Sequence, residues 1–327
     1  MTPAITVDNL QKEFVQKTHP PDRGFWQRLL KSAEIKRTPA VAGLSFSIQP
    51  GERVAFIGPN GAGKSTTLKM LSGILTPTDG TAHVAGLVPW DSRQALARHI
   101  GLVFGQRSQL WYHLSVNDSF NLLAAIYDLK TEDYATQRAW LEETFQLAPL
   151  WEQQVKALSL GQRMRAEIAA SLLHKPQILF LDEPTIGLDI TVRAELRDTL
   201  KRLSQRGNVT IILTSHDMAD VEEVCDRIIL INHGRKVVDD TLASVKHKFV
   251  QTKRITLITE EETPVFSMPG IDTERSQHKL ALHFNPTHVQ VAHVISAAMA
   301  ALNVRDVVIE DTPLEDIIQH IYRQGLA

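Results

Sequence analysis

Nine consecutive residues, Gly58-Pro59-Asn60-Gly61-Ala62-Gly63-Lys64-Ser65-Thr66, follow the spacing of a phosphate-binding loop. Small residues let successive backbone N–H groups close around phosphate oxygens, and a following helix points its positive end at the same charge. Lys64 is then placed to reach the β and γ phosphates, and the Ser65 hydroxyl to ligate Mg2+. A second constellation, Ile178-Leu179-Phe180-Leu181-Asp182-Glu183, is an apolar run that ends in two carboxylates. Ligands of open α/β sheets gather at such strand ends. Asp182 suits a magnesium ion, held directly or through water. Glu183 suits polarisation of an attacking water, the general-base part of a hydrolysis that otherwise demands alignment and charge stabilisation.

These groups need a scaffold, and the hydrophobic pattern supplies one. The run Arg53 to Ile57, the glycine-rich turn, and Ser65 to Leu75 with leucines at helical spacing read as strand, loop and helix. Gln177 to Leu181 and Val209 to Thr214 read as strands covered on both faces, with a helix over Thr191 to Ser204 between them. Arg227 to Ile231 and Arg235 to Val238, joined through Asn232, His233 and Gly234, read as a hairpin at the sheet edge. Ser115 to Leu173 lacks strands and reads as several helices inserted into the sheet domain. Further on, the alternation of Leu280, Leu282 and Phe284, a helix over Val289 to Leu302, a strand over Val304 to Ile309 and a last helix from Thr312 describe a small α+β domain. Thr312, Pro313 and Glu315 fit the cap, first-turn proline and capping-box glutamate of that helix.

Leu158-Ser159-Leu160-Gly161-Gln162 leads into another helix and precedes the carboxylate strand. With this segment in place, the chain resembles the nucleotide-binding subunit of ATP-binding cassette (ABC) transporters, over about residues 4 to 245. The resemblance implies a P-loop NTPase fold of the ABC type over residues 1–245, with a helical subdomain at about 107–174; the pattern beyond it gives the separate α+β domain over 246–327. The resemblance also implies ATP and Mg2+ as ligands and ATP hydrolysis as the reaction. Ser159, Gly161 and Gln162 correspond to the family's signature, which meets the γ-phosphate bound by a facing subunit, so hydrolysis requires a dimer. Leu160 departs from the family pattern, which has glycine there; a positive φ at that position would cost leucine about 1 kcal/mol or more. Gln106 resembles the glutamine that touches Mg2+ and water, Asp189 the aspartate that crosses the dimer interface, and His216 the histidine that contacts the γ-phosphate. Phe14 resembles the aromatic residue that stacks on adenine. The aromatic group Trp111, Tyr112 and His113 lies where the family receives the coupling helices of a membrane subunit.

Composition sets the outer limits. With 43% hydrophobic and 22% charged residues, the 327-residue chain is an ordinary globular protein and not a disordered or disulfide-stapled one. Thirty-five basic and 37 acidic residues leave a formal charge of −2, so no overall basic excess draws it to nucleic acid. One local exception stands out. The insertion at about residues 15–39 carries Lys17, Arg23, Arg28, Lys31, Lys36 and Arg37 around Phe25, Trp26, Leu29 and Leu30, which suits either a lipid surface or a solvated arm. The single Cys225 fits a reducing compartment. No run reaches the about 18 apolar residues that span a bilayer, and Met1 to Leu10 lacks the pattern of a secretory signal. The resemblance implies as partners an integral membrane permease, from another gene since no spanning run is present in this sequence, and a second ATPase subunit, identical or paralogous. The expected address is the cytoplasmic face of a membrane. The main rival is a soluble ABC-type ATPase acting on nucleic acid or ribosomes. It would ordinarily need a long coiled coil between loop and signature or a second cassette, and neither is present in this sequence.

Overall fold

The chain, described here as a computed structural model over residues 2–18, 34–105, 108–207, 209–249, 253–286, 288–311 and 313–323, divides into two compact units, Met1–Asp239 and Asp240–Ala327. The division falls ahead of the boundary read after residue 245, because the helix Leu242–Phe249 groups with the second unit.

The first unit contains strands β1 (Ile5–Thr18), β2 (Glu34–Ile48), β3 (Arg53–Ile57), β4 (Asp79–Val84), β5 (Ile100–Phe104), β6 (Ile178–Asp182), β7 (Thr210–Thr214), β8 (Arg227–Asn232) and all but the last two residues of β9 (Arg235–Thr241). Its helices are α1 (Lys64–Leu71), α2 (Arg93–Ala97), α3 (Val116–Ile126), α4 (Thr131–Phe145), α5 (Leu160–Ser171), α6 (Ile190–Gly207) and α7 (Met218–Val224). Six strands form one sheet in the order β5-β6-β7-β3-β8-β9, and the pairs from β5 to β8 are parallel. In β6 the residues Ile178 to Leu181 are all buried, and β7 is buried throughout, as expected of parallel strands covered on both faces. This order places the carboxyl ends of β6, β7 and β3 side by side, with β7 in the middle.

A second, antiparallel sheet β2-β1-β4 shares a core with the first: Ile5, Leu10, Leu44 and Phe46 cluster with Val54, Phe56 and Leu68. The Phe46 and Phe56 rings lie 5.8 Å apart. β1 and β2 continue as a ribbon as far as the pair Thr18 and Glu34, so strand extends into both ends of the insertion. Phe25, Trp26, Leu29 and Leu30 lie outside the described residues.

The helical reading of Ser115 to Leu173 holds, with α3, α4 and α5 joined by 3-10 turns at Ala148–Leu150 and Val155–Ala157. Phe120 and Trp151 meet edge to face at 5.0 Å in its core. The helix expected to run to Leu75 ends at Leu71 instead. Gly73 takes φ +75° and returns its N–H to the Met70 carbonyl, which closes the helix early. The hairpin turn has φ +46° at His233 and +74° at Gly234, both left-handed as a two-residue turn requires.

The second unit is an antiparallel sheet of β10 (Lys253–Thr259), β11 (Ile271–Ser276), β12 (Lys279–Phe284) and β13 (Val304–Asp311), in the order β11-β12-β10-β13. With it come α8 (Leu242–Phe249), α9 (Val291–Ala301) and α10 (Leu314–Arg323). Ile255, Leu257, Leu280, Leu282 and Phe284 pack on Val294 and Ala298. Thr312, the expected cap of α10, lies outside the described residues. β11 has no sequence signature because its residues are mostly exposed and polar; pairing with β12, not burial, makes it a strand.

Candidate functional site

β3 runs directly into the glycine loop, and steric limits on that loop explain its composition. A Cβ on Gly63, where φ is +103°, would stand 2.4 Å from the Ala40 carbonyl oxygen; one on Gly58 would stand 2.5 Å from that of Ile231. α1 starts at Lys64, whose Nζ donates to the Gly58 carbonyl at 2.6 Å and to that of Pro59 at 3.3 Å. Lys64 is only 6% exposed. Burial pushes its ammonium below the usual lysine range, opposed by the nearby carboxylates of Glu183 and Asp182. An anion arriving at the loop would give that buried cation a partner.

Asp182 ends β6 opposite Thr214 of β7. Its Oδ1 accepts hydrogen bonds from Ser65 Oγ at 3.3 Å and Thr214 Oγ1 at 2.6 Å. A carboxylate and a hydroxyl converging from two elements are the hard oxygen donors that Mg2+ takes, the rest of its shell being left to water and phosphate. The residues present therefore fit that ion.

Glu183 takes φ +55°, a left-handed conformation that costs a non-glycine residue roughly 1–2 kcal/mol. Its N–H is held by both the carbonyl and the hydroxyl of Thr214, each at 3.1 Å. Its Oε1 lies 2.7 Å from His216 Nε2. Lys64, Ser65, Asp182, Glu183 and His216, distant in sequence, thus meet in one cluster at the carboxyl ends of β3, β6 and β7. Gln106 lies outside the described residues; the Gly105 amide before it donates to the Asp182 carbonyl at 3.0 Å.

A second cluster lies at the starts of α5 and α6. Ser159 and Gln162 form a reciprocal capping box, the Ser159 hydroxyl accepting from the Gln162 amide and Gln162 Oε1 from that of Ser159. Gly161 is buried against α6, where an added Cβ would stand 2.6 Å from Val192 Cγ1. Asp189 caps α6 by accepting the Val192 amide at 3.0 Å. Leu160 is the first residue of α5 and has no positive φ, so the strain that a left-handed turn would impose does not arise. Its exposed side chain lies over Gly187. Ser159, Leu160, Ile186, Asp189 and Ile190 are all exposed, so this cluster faces outward.

Phe14 is 42% exposed and is not a core residue. It pairs with Thr38 on the ribbon, two positions before the Ala40 whose carbonyl abuts Gly63, and Lys12 Nζ stands 5.7 Å from its ring centroid. Trp111 and Tyr112 are likewise exposed, whereas the neighbouring Leu110 is buried.

Several polar residues in this unit escaped the sequence analysis. Thr214 has already appeared. Glu167, buried in the middle of α5, accepts from the Ser108 hydroxyl and the Gln109 amide, which ties the segment after Gln106 to the signature helix. Asp220, fully buried on α7, accepts from Thr185, Ser215 and Arg197, while Arg193 joins the Leu188 carbonyl to Asp217. A buried acid within an apolar helical run is the one sequence signal that could have found Glu167. The others have none, because their partners come from different elements.

Residues 41–186 match the family described as "ABC transporter". The linearmycin resistance ATP-binding protein LnrL of Bacillus subtilis (strain 168) is 35% identical over 212 residues, 65% of this chain and 67% of that protein. The Nod factor export ATP-binding protein I of Rhizobium meliloti is 38% identical over 202 residues, 62% of this chain and 59% of that protein. The chain spans as little as 26% of the length of other relatives. Among solved structures, cbiO1 from Clostridium perfringens, described as part of the ABC transporter complex cbiONQ, aligns with a TM-score of 0.61 at 25% identity, covering 76% of this chain and 94% of that one. Among the described residues, no helix is long and apolar enough to cross a membrane.

Proposed function

The chain belongs to the ABC transporter ATP-binding family and is an ABC-type ATPase, and from that premise we propose that it drives an exporter whose membrane permease is a separate subunit. The observation that carries the chemical part of this reading is the gathering of Lys64, Ser65, Asp182, Glu183 and His216 at three adjacent strand ends: Ser65 bonds Asp182, Thr214 bridges Asp182 and Glu183, His216 meets Glu183, and the Lys64 ammonium lies in the field of both carboxylates.

In this reading the loop of Gly58, Pro59, Asn60, Gly61, Ala62, Gly63, Lys64, Ser65 and Thr66 wraps the phosphates of ATP, every residue but Pro59 having a backbone N–H to offer them, and the Lys64 ammonium turns from its carbonyl partners to the β and γ oxygens. Ser65, Asp182 and Gln106 would hold Mg2+, which neutralises phosphate charge when bound. Glu183 takes the hydrogen bond of the attacking water and aligns it with the γ-phosphate, and His216, 2.7 Å from Glu183, orients that carboxylate and reaches the same phosphate. Phe14 offers its exposed face to the adenine.

The outward-facing cluster of Ser159, Gly161, Gln162 and Asp189 completes the site of a second copy or of a paralogue, so that two ATP molecules lie between two chains. Binding closes the pair and cleavage reopens it. The permease meets the surface bearing Trp111 and Tyr112, which puts the chain on the cytoplasmic face of its membrane. Outward transport is supported by relatives named for antibiotic resistance and for Nod factor export. Nucleic acid is not a partner in this reading.

One experiment addresses catalysis and pairing together. Glu183→Gln is expected to bind ATP, to hydrolyse it at least a hundredfold more slowly than the native chain, and to elute as an ATP-dependent dimer in gel filtration; rates of about 10²–10⁴-fold are what a positioned base supplies. Turnover at the native rate would end the general-base assignment, and an unchanging monomer would end the shared-site reading.

A further inference from the structure

The strand that separates β6 from β3 ends in a hydroxyl. Thr214 stands level with Asp182 in the β6–β7 ladder and is fully buried. A hydroxyl has one proton to give, and here it goes to Asp182 Oδ1 at 2.6 Å, while a lone pair receives the Glu183 amide at 3.1 Å. The Thr214 carbonyl faces the same amide at 3.1 Å. One residue therefore grips two consecutive carboxylate residues, the first by its hydroxyl and the second by its hydroxyl and its carbonyl together. Glu183 needs that grip. Its φ of +55° persists in a non-glycine residue only where the surroundings over-determine it, and that φ sends its carboxylate toward His216.

We infer that Thr214 is a positioning residue for hydrolysis: its hydroxyl, fixed in direction by its bond to Asp182, helps to hold Glu183 in the left-handed turn that aims the carboxylate at the attacking water. This inference rests on the general-base role proposed for Glu183. Valine matches threonine in shape but has no hydroxyl, so Thr214→Val removes the two hydrogen bonds while filling the same space. Serine keeps the hydroxyl.

The test compares Thr214→Val and Thr214→Ser in the full chain, by steady-state ATP hydrolysis and by equilibrium binding of a fluorescent trinitrophenyl-ATP. Thr214→Val is expected to lower kcat by about tenfold to a hundredfold, the cost of a misaimed catalytic group, with KM and nucleotide affinity within about threefold of native. Thr214→Ser is expected to restore most of kcat. Placed in a Glu183→Gln chain, Thr214→Val should bring no further loss of the residual rate, because it acts through the group already removed. Native kcat in Thr214→Val, a loss that serine fails to rescue, or a full additional loss in the Glu183→Gln chain would each overturn the inference. An inactive Glu183→Gln beside a fully active Thr214→Val overturns this inference alone, whereas an active Glu183→Gln overturns it together with the reading on which it rests.

Discussion

Removing the Asp220 carboxylate is expected to destabilise the first unit by about 3 kcal/mol. Asp220 is 1% exposed and accepts from Thr185 Oγ1 at 2.5 Å, Ser215 Oγ at 2.7 Å and Arg197 Nε at 2.7 Å. Breaking a buried ion pair by deleting one partner costs roughly 3–5 kcal/mol, because the other charge stays behind without compensation. Here Arg197 keeps Glu223 at 2.9 Å and Asp217 at 3.6 Å, which places Asp220→Ala at the lower end of that range. For a unit of this size, about 2–4 °C of melting temperature accompanies each kcal/mol, so the fall should be about 6–12 °C. The assay is tryptophan fluorescence during thermal and urea unfolding at pH 7. All five tryptophans, Trp26, Trp90, Trp111, Trp140 and Trp151, belong to Met1–Asp239, so the signal reports this unit alone. Arg197→Met in the Asp220→Ala chain should add little, because the cation that Asp220 had balanced is gone as well. A loss below about 1 kcal/mol, or full additivity in that double variant, would refute the reasoning.

Gly63→Ala should weaken ATP binding by more than about tenfold, because the new methyl meets the Ala40 carbonyl oxygen at 2.4 Å and the backbone is held at φ +103°; Gly61→Ala, with φ +82° but nothing within 4 Å, should cost less. Equal affinities of the two variants in equilibrium binding would contradict the packing argument. Burial pushes the His174 imidazole down to about 4, and its Nδ1 has no hydrogen-bond partner while Nε2 meets the Ile100 carbonyl at 3.0 Å. The unfolded chain therefore binds a proton that the folded chain refuses between about pH 6.5 and 4, so stability is full above that window and falls through it, by at most about 3 kcal/mol. His174→Gln should flatten the pH dependence of the unfolding midpoint in that window; parallel curves for the two proteins would exclude His174 as its source. Ser159→Arg, at an exposed capping position, should leave nucleotide binding intact and abolish the ATP-dependent dimer of Glu183→Gln in gel filtration. A dimer that survives the arginine would place the contact between chains elsewhere.

Much of the fold and of the chemistry is legible in the order of residues, because phosphate chemistry is local. The loop from Gly58 to Thr66 needs consecutive small residues for its backbone to curl around an anion, and β6 needs an unbroken apolar run before Asp182 can emerge at a strand end. Periodicity likewise marks β3, β7, α6 and α9 to within a few residues. The ribbon strands and β11 are less legible, since polar and half-exposed strands acquire their hydrogen bonds from a neighbour that no local pattern names. Tertiary structure alone decided that β7 lies between β3 and β6, and with that order came the role of Thr214, the left-handed turn at Glu183 and the burial of Lys64 beside two carboxylates. It also decided that Leu160 begins a helix without strain and that Asp220 gathers donors from three segments. The physical reason is the same throughout: a residue's type states which bonds it can make, whereas strand order and helix packing determine which partners come within reach.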